Sequence, residues 1–221
     1  DYGASSVDGK KIYHVNSDAT TPTVSLLYKL NDQISTYASH SESFGEGSLV
    51  TGTYKNRGQI LDPSKAKMDE VGIKAKQGRF LTTFSLFQIK QADTNDVVHS
   101  DGIYLEQQGH QKNKGAEIST AGSFGKWDVI GGISRINTKS SDGSSVAGVS
   151  KWNAAAGVVY HPDENFSVNG KVTFVGDTYV NTLGDTGNIH GLSVPSFARF
   201  DIGSSYQTQI NHTPVTLSLT C

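Results

Sequence analysis

Histidine, serine and glycine are the residue types from which this chain could build a metal, nucleophilic or phosphate site, and their spacing favours none of these. The seven histidines stand at positions 14, 40, 99, 110, 161, 190 and 212, and no two have the i, i+2 or i, i+4 separation of paired metal ligands. A GxSxG nucleophile motif is absent, and Gly125-Lys126 lacks the Ser or Thr that completes a P-loop. The one cysteine, Cys221, excludes a disulfide framework and a cysteine-based zinc site. We therefore predict that the protein is not an enzyme and has no metal or cofactor of its own.

Aromatic and basic side chains in the long polar segments are the candidates for binding a ligand. Tyr54 and Arg57 lie in the glycine-rich segment 45–67, Trp152 directly follows the Ser/Gly segment 140–151, and His190 lies in the Gly/Asn-rich segment 181–195. Aromatic and cationic groups together suit an anionic, partly apolar ligand, by stacking and by charge. The alternative interpretation is that these are ordinary solvated loop residues.

The elements that would position these segments are long β-strands. In residues 68–77, Val71, Ile73 and Ala75 alternate with polar residues, and a period of two is typical of a strand with one apolar face. A tight turn at Gln77-Gly78-Arg79 leads to a second strand, residues 80–91, in which Leu81, Phe87 and Ile89 share one phase while Phe84 and Leu86 are out of phase. Strands of about ten residues match a tilted crossing of a bilayer, whereas soluble strands average about five or six.

The same pattern recurs along the chain and predicts about ten antiparallel strands. The predicted connections alternate: short turns near residues 32, 78, 125, 164 and 212, and long loops near residues 10, 55, 96, 145 and 188. Short turns at one end and long loops at the other are typical of outer-membrane β-barrels. Aromatic residues near the strand ends are candidates for an interfacial girdle: Tyr28, Trp127, Tyr160, Phe166, Phe200 and Tyr206.

Composition agrees with this prediction and narrows the alternatives. The 221 residues are 35% hydrophobic and carry a net charge of −2, which provides no basic face for nucleic acid. No run of about 18 apolar residues occurs, so a transmembrane helix is excluded, while a barrel, in which only every second residue faces lipid, is not. Residues 214–221 alternate and stop without a turn, so we expect the barrel to continue beyond this sequence.

Four segments of the sequence carry recognisable steps. Residues 27–44 are a predicted hairpin that ends in a Ser-Phe pair, and residues 69–75 (DEVGIKA) contain a Glu-x-Gly-x-Lys step. Residues 85–91 followed by 109–122 are a predicted strand pair with a Gly-x-Glu step at Gly115 and Glu117, and residues 197–219 are a predicted hairpin. Taken together and in order, these segments resemble the TonB-dependent siderophore receptors of the Gram-negative outer membrane, with residues 197–219 similar to the family's penultimate hairpin.

This resemblance implies a fold and a function for the protein from which the segment comes. Residues 1–221 would be one partial C-terminal domain, about ten strands of a 22-stranded antiparallel transmembrane β-barrel, without the plug domain that such barrels enclose. The intact receptor would take up a ferric siderophore through the bacterial outer membrane, with the iron held by the siderophore. Its partners would be the ferric siderophore, outer-membrane lipid, and the TonB complex acting through the missing plug.

Two other classes remain open from the residues alone. A passive outer-membrane porin or channel shares the strand length and the loop asymmetry. A soluble β-rich binding module would need shorter strands and no apolar outer face. If the barrel interpretation holds, the face that carries Val172 and Phe174 should not pack against a second layer of the same chain.

Overall fold

A computed structural model describes residues 6–7, 10–11, 20–141, 143–179, 193–211 and 213–221. Within these ranges the chain is all β, with 14 strands and no helix. Four of the strands are two-residue segments: β1 (Ser6–Val7), β2 (Lys10–Lys11), β11 (Thr178–Tyr179) and β12 (Ser193–Val194). The ten longer strands are β3 (Thr23–Lys29), β4 (Ile34–Gly45), β5 (Ser64–Gln77), β6 (Phe80–His99), β7 (Gly102–Phe124), β8 (Trp127–Lys139), β9 (Trp152–Tyr160), β10 (Phe166–Val175), β13 (Phe197–Ile210) and β14 (Thr213–Thr220).

The ten longer strands form one antiparallel sheet in which each strand pairs with its neighbours in sequence. The order is β3-β4-β5-β6-β7-β8-β9-β10-β13-β14, the up-and-down topology that the alternating connections predict. In the described part of the chain β3 and β14 pair on one side only, so the sheet is open at both edges. The predicted fold class, a portion of an antiparallel barrel with about ten strands, is confirmed.

The short turns lie where the sequence predicts them, and glycine supplies the backbone conformation at two of them. Gly78 and Gly125 each occupy the first position of a two-residue hairpin loop, with φ of 61° and 54°. A positive φ at this position is needed for a turn whose twist matches that of the flanking strands. Among the other short turns, Asn31 accepts hydrogen bonds from the N–H groups of Gln33 and Ile34, and Asp163 from those of Asn165 and Phe166.

Two boundaries predicted from the sequence are wrong. The polar segment near residue 96 is not a long loop, because β6 continues to His99 and β7 starts at Gly102, with only Ser100 and Asp101 between them. The register shifts by one residue between Ala92 and Thr94, a β-bulge. The sequence also predicts one strand over residues 166–180, because Phe166, Val168, Val172, Phe174 and Val180 share one phase. In the structure β10 ends at Val175, and residue 180 lies outside the described residues.

Cross-strand register divides the sheet into an apolar face and a polar face. One row of directly opposed residues on the apolar face is Tyr28, Thr36, Ile73, Phe84, Ile118, Ile133, Ala154, Phe174 and Ala198. Phe84 and Leu86 therefore share the face of Val71 and Ile73, whereas Phe87 and Ile89 lie on the polar face. The dominant phase of residues 80–91 in the sequence indicates the wrong face for this strand, because β6 has large apolar residues on both faces.

The apolar face is open to its surroundings. Phe200 is 77% exposed, Leu219 is 74% exposed and Phe174 is 38% exposed, so no second layer of the described chain covers the face that carries Val172 and Phe174. Among the described residues the buried apolar side chains are Val50 and Leu61, and both belong to a loop. Such a sheet has no core of its own, and its apolar surface must be covered by something outside the chain. No helix in the described ranges is long and apolar enough to span a membrane.

Candidate ligand-binding site at the long-loop end

The connection between β4 and β5, residues 46–63, is an ordered loop with its own small hairpin. Leu49 and Ile60 form an isolated antiparallel bridge, and the N–H of Val50 donates to the Gln59 carbonyl at 2.8 Å. Val50 and Leu61 are 1% and 8% exposed. The tip of the loop, residues 54–58, is bonded to this small hairpin, because the Gly58 N–H donates to the Val50 carbonyl at 2.9 Å.

Loop 46–63 docks on hairpin 92–110, the part of β6 and β7 beyond the bulge. The Tyr54 hydroxyl donates to Asp96 Oδ1 at 2.8 Å, and the Lys55 N–H donates to the Ile103 carbonyl at 2.9 Å. The Asn56 side chain pairs with the backbone of Leu105 as a strand would: it donates to the carbonyl at 2.8 Å and accepts from the N–H at 3.1 Å. These bonds cover the edge of β7 where β8 does not reach it.

Loop 140–151 is attached to the same hairpin at the bulge. Asp93, at the bulge in β6, is 9% exposed and accepts a hydrogen bond from the Ser140 hydroxyl and a 3.4 Å hydrogen bond from the Ser141 N–H. The extra residue of the bulge lies in β7, where Gln108 and Gly109 stand opposite Asp93 and Gly109 has a φ of 76°. Hairpin 92–110 thus connects to both neighbouring loops.

The tip of hairpin 92–110 carries a polar and aromatic cluster that the sequence did not indicate. His99 Nε2 lies 2.8 Å from Glu106 Oε1, and the His99 and Tyr104 ring centroids are 4.7 Å apart. The Tyr104 hydroxyl donates to Asp101 Oδ2 at 2.8 Å, and this bond lowers the pKa of Asp101 below its ordinary value. In the docked loop, the hydrogen bond to Asp96 raises the pKa of Tyr54. The hydrogen bond to Asp101 likewise raises the pKa of Tyr104. The hydroxyl groups of Tyr54 and Tyr104 therefore stay protonated and act as donors at physiological pH.

The four residues proposed from the sequence as ligand contacts lie in different places. Tyr54 and Arg57 share the tip of loop 46–63, where the Arg57 N–H donates to the Tyr54 carbonyl at 3.1 Å and Arg57 is exposed. Trp152 starts β9 on the apolar face, with its ring centroid 5.6 Å from the Arg135 guanidinium carbon. This position faces away from the polar side of the sheet. His190 lies outside the described residues.

The polar face below the loops is organised around Tyr37. Its hydroxyl donates to Glu70, its ring lies above Gly72, where an added Cβ would come within 2.5 Å of Cε1, and Lys74 Nζ lies 4.9 Å from the ring centroid. These three positions are the Glu-x-Gly-x-Lys step of the sequence. Spacing of two puts them on one face of β5, beside Tyr37 on β4.

Grooves occur on both faces of the sheet, so a groove does not by itself indicate a ligand site. An open groove of about 800 Å³ lies over β7–β10 and includes Glu117, Asn153, Asn169 and Lys171 of the polar face. A groove of about 450 Å³ lies on the apolar face beside Ile118 and Phe174. Within the described ranges no three His, Cys, Asp or Glu side chains are grouped as metal ligands.

Comparison with known proteins identifies the family. The model of the family described as TonB dependent receptor-like, beta-barrel, matches residues 1–221, the whole length of the chain. The chain belongs to this family. Its members are transport receptors of the bacterial outer membrane. The apolar face of the sheet is therefore the lipid-facing outer wall, and the polar face lines the barrel.

Relatives and solved structures agree with this assignment. The chain is 25% identical over 228 residues to the ferrichrome receptor FcuA of Yersinia enterocolitica, covering 96% of this chain and 28% of the relative. It is 26% identical over 196 residues to the ferric-pyoverdine 358 receptor of Pseudomonas putida, covering 85% of this chain and 22% of that protein. The solved ferric preacinetobactin receptor BauA of Acinetobacter baumannii is 29% identical with a TM-score of 0.67, over 90% of this chain and 31% of BauA. The chain thus spans less than a third of each of these relatives.

Proposed function

We propose that the protein takes part in TonB-dependent uptake of a ferric siderophore through the outer membrane. The observation that carries this proposal is the family match over residues 1–221, together with relatives named as receptors for ferrichrome and ferric pyoverdine. Iron enters as part of the ligand. The siderophore supplies the iron ligands, and the receptor recognises the complex.

Within such a receptor, the described part of this chain contributes a section of the barrel wall and its loops. Loop 46–63 and hairpin 92–110 form one docked unit at the long-loop end, and that end faces the outside in outer-membrane barrels. Tyr54, Arg57 and His190 are our proposed ligand contacts. Trp152, on the apolar face, is supported less by its position.

The plug and the TonB contact belong to the parts of the receptor outside this sequence. The chain covers 28% of FcuA, so a plug domain and the remaining barrel strands have room in the intact protein. We propose that the polar face, with Glu70, Lys74 and Glu117, lies against that plug. Energy transmitted through TonB would then release the ligand to the periplasm.

Uptake of iron-55 by cells tests the proposal. A strain lacking the receptor gene is complemented with the full-length receptor, with Arg57→Ala, or with the matched Arg79→Ala variant at a short turn on the opposite end. We expect Arg57→Ala to raise the siderophore concentration for half-maximal uptake about tenfold, the loss of a hydrogen bond to a charged group. Arg79→Ala should behave as the parent.

Removing TonB separates active uptake from the passive channel considered above. Uptake through a receptor stops without TonB, whereas diffusion through a porin continues. Uptake that persists in a tonB-deficient strain contradicts the proposal and favours the channel.

A further inference from the structure

Four lysines lie side by side across four adjacent strands on the apolar face of the sheet. Lys67 of β5 is directly opposite Lys90 of β6, Lys90 is opposite Lys112 of β7, and Lys112 is opposite Lys139 of β8. We call these four residues the lysine row. With strands about 4.8 Å apart the row is about 14 Å long.

The lysine row is underpaired. Lys67 Nζ lies 2.8 Å from Glu42 Oε1, and Lys139 Nζ donates to Ser145 Oγ at 3.3 Å. Among the described residues no carboxylate lies within 4.0 Å of Lys90 or Lys112, and both are exposed. Like charges directly opposite each other destabilise a sheet. An anion bound from outside the chain would reduce the repulsion among the four ammonium groups.

More positive charge lies beside the row on the same face. Lys65 is two residues from Lys67, and Lys114 and Arg135 lie between the row and the apolar band. The acidic side chains of this face in the same region are Glu42 and Asp69. Seven cations thus surround two carboxylates, and the complementary partner is an anion.

The height of the row on the sheet identifies the kind of anion. Along β7 the apolar face runs from Phe124 to Ala116 and then becomes cationic at Lys114 and Lys112. Phe124 and Lys114 are ten residues apart, about 33 Å along the strand and about 25 Å along the membrane normal at a tilt of about 40°. The apolar band of an outer-membrane barrel is about 25 Å tall. The row therefore lies at the level of lipid headgroups.

The opposite end of the same face has a different composition. There the side chains are aromatic: Phe80, Phe124, Trp127, Tyr160, Phe166 and Tyr206. Phe80 and Phe124 stack with ring centroids 6.3 Å apart, and Trp127 and Tyr160 with centroids 4.4 Å apart. Cations are thus concentrated at the long-loop end of the outer wall. A bilayer with strongly anionic headgroups in one leaflet matches this asymmetry.

We propose that the lysine row binds the phosphate groups of an anionic lipid in the leaflet at the long-loop end of the barrel. The row would hold more than one phosphate, because Lys67 and Lys139 are about 14 Å apart. Lysine stems can lie along the apolar wall while the ammonium groups reach the headgroups. This inference depends on the membrane placement of the sheet and is independent of the siderophore.

Titration with a phosphorylated lipid tests the proposal. The full-length receptor is purified in a neutral detergent and titrated with lipid A, which carries two phosphates, and binding is followed by native mass spectrometry. We expect Lys90→Gln/Lys112→Gln to weaken binding about tenfold or more, since each lysine near an anionic surface contributes about 1 kcal/mol. The conservative Lys90→Arg/Lys112→Arg variant, and the matched Lys29→Gln/Lys171→Gln variant on the polar face, should bind within about twofold of the parent.

Thermal unfolding of the same variants gives a second test, because the Lys→Gln changes should affect the unfolding temperature in opposite directions without and with lipid. Without lipid, Lys90→Gln/Lys112→Gln should unfold at the parent's temperature or above it, because repulsion in the row is relieved. With lipid A, the parent should gain more stability than the double variant. A double variant that unfolds at a lower temperature without lipid, or that gains as much from lipid A as the parent, overturns the proposal.

A competition experiment excludes other occupants. Inorganic pyrophosphate at the same phosphate concentration should leave lipid A bound. If pyrophosphate displaces the lipid, the row is a site for soluble anions, and if lipid A does not bind while an acidic protein co-purifies through the row, it is a protein interface. Either result contradicts the lipid proposal.

Discussion

At the scale of single residues, the contacts of Tyr37 account for the Glu-x-Gly-x-Lys step of β5, residues 70–74. Glu70 accepts the hydrogen bond of the Tyr37 hydroxyl, Gly72 leaves room for the ring, and Lys74 lies over the ring face. A ring placed over a glycine on the neighbouring strand recurs at Phe87 and Gly115. Such pairs shield the bare backbone of the glycine and fix the register of the strands.

Substituting Gly72 tests this packing. An added Cβ would meet the Tyr37 ring at 2.5 Å and the Phe84 carbonyl at 2.7 Å, so we expect Gly72→Ala to lower the free energy of unfolding by about 1–3 kcal/mol. Adding Tyr37→Leu to the Gly72→Ala variant should recover part of the lost stability. It should not recover all of it, because the added Cβ would still meet the Phe84 carbonyl.

The matched control is Gly170→Ala in β10, where the nearest atom to an added Cβ is Val158 Cγ1 at 3.9 Å. Denaturant unfolding of the full-length receptor in detergent measures all four proteins. A Gly72→Ala variant as stable as Gly170→Ala would contradict the packing argument.

At the scale of elements, hairpin 92–110 and loop 46–63 behave as one unit because backbone and side-chain bonds join them. Asn56→Ala removes the two hydrogen bonds to Leu105. At about 1 kcal/mol for each bond, we expect local opening of the loop to become about five- to thirtyfold more frequent. Hydrogen exchange at the Val50, Lys55 and Leu61 amides, which are hydrogen-bonded in the docked loop, measures this change.

Thr53→Ala is the control for that experiment, since Thr53 is exposed in the same loop. In Thr53→Ala the amides of Val50, Lys55 and Leu61 should exchange at the rates seen in the parent. The exchange rates of the β5 amides should be the same in both variants as in the parent. Equal exchange in Asn56→Ala and the parent would mean that the loop does not depend on this docking.

The faces of β6 can be tested with cysteines, because the chain has Cys221 alone. With Cys221 replaced by Ser, Leu86→Cys should react with a lipid-soluble maleimide and Phe87→Cys with a water-soluble one, since these residues lie on opposite faces. The opposite labelling pattern would assign the apolar face to the lumen. Tyr28→Cys and Leu27→Cys on β3 repeat the test on a second strand.

How far the sequence predicts these elements depends on whether a segment lies in the membrane. Alternation of apolar and polar residues predicts strands over residues 23–30, 34–44, 127–139, 153–162 and 196–209, and the ends of β3, β4, β8, β9 and β13 lie within two residues of these bounds. In hairpin 92–110 the part of β6 just past the bulge, residues 92–96 (ADTND), has no large apolar side chain, so no alternation indicates that the strand continues there. The docking of Asn56 on Leu105 joins residues 49 positions apart, and no local pattern indicates such a contact.

The candidate site was less predictable than the fold for the same reason. The sequence indicates Tyr54 and Arg57 only by residue type within a loop, and the structure places both at the tip of that loop. Trp152 is the first residue of β9 on the outer wall, where an aromatic side chain next to Arg135 suits the membrane interface as well as a ligand. Asp96, which accepts the hydrogen bond of Tyr54, and the pair Asp101 and Tyr104 all lie in hairpin 92–110. The sequence predicts a loop there, so it does not indicate these contacts.

At the scale of the whole molecule, the sheet leaves both of its faces and both of its edges without partners among the described residues. Its apolar face exposes Phe200, Leu217 and Leu219, its polar face has no second layer among the described residues, and β3 and β14 each have one unpaired edge. In lipid each unpaired backbone group costs several kcal/mol. The stability of these strands therefore depends on the membrane and on the strands that complete the barrel.

We accordingly expect the 221-residue chain by itself, refolded in detergent micelles, to associate through its open edges. Light scattering coupled to gel filtration should show oligomers whose mass rises with protein concentration, whereas the full-length receptor under the same conditions stays at one mass. Adding the remainder of the receptor as a separate chain during refolding should reduce the oligomers, because the edges then pair with their own neighbours. A single monomeric species of the 221-residue chain at every concentration would show that β3 and β14 satisfy their edges without the rest of the barrel, and the open-sheet account of its stability would be wrong.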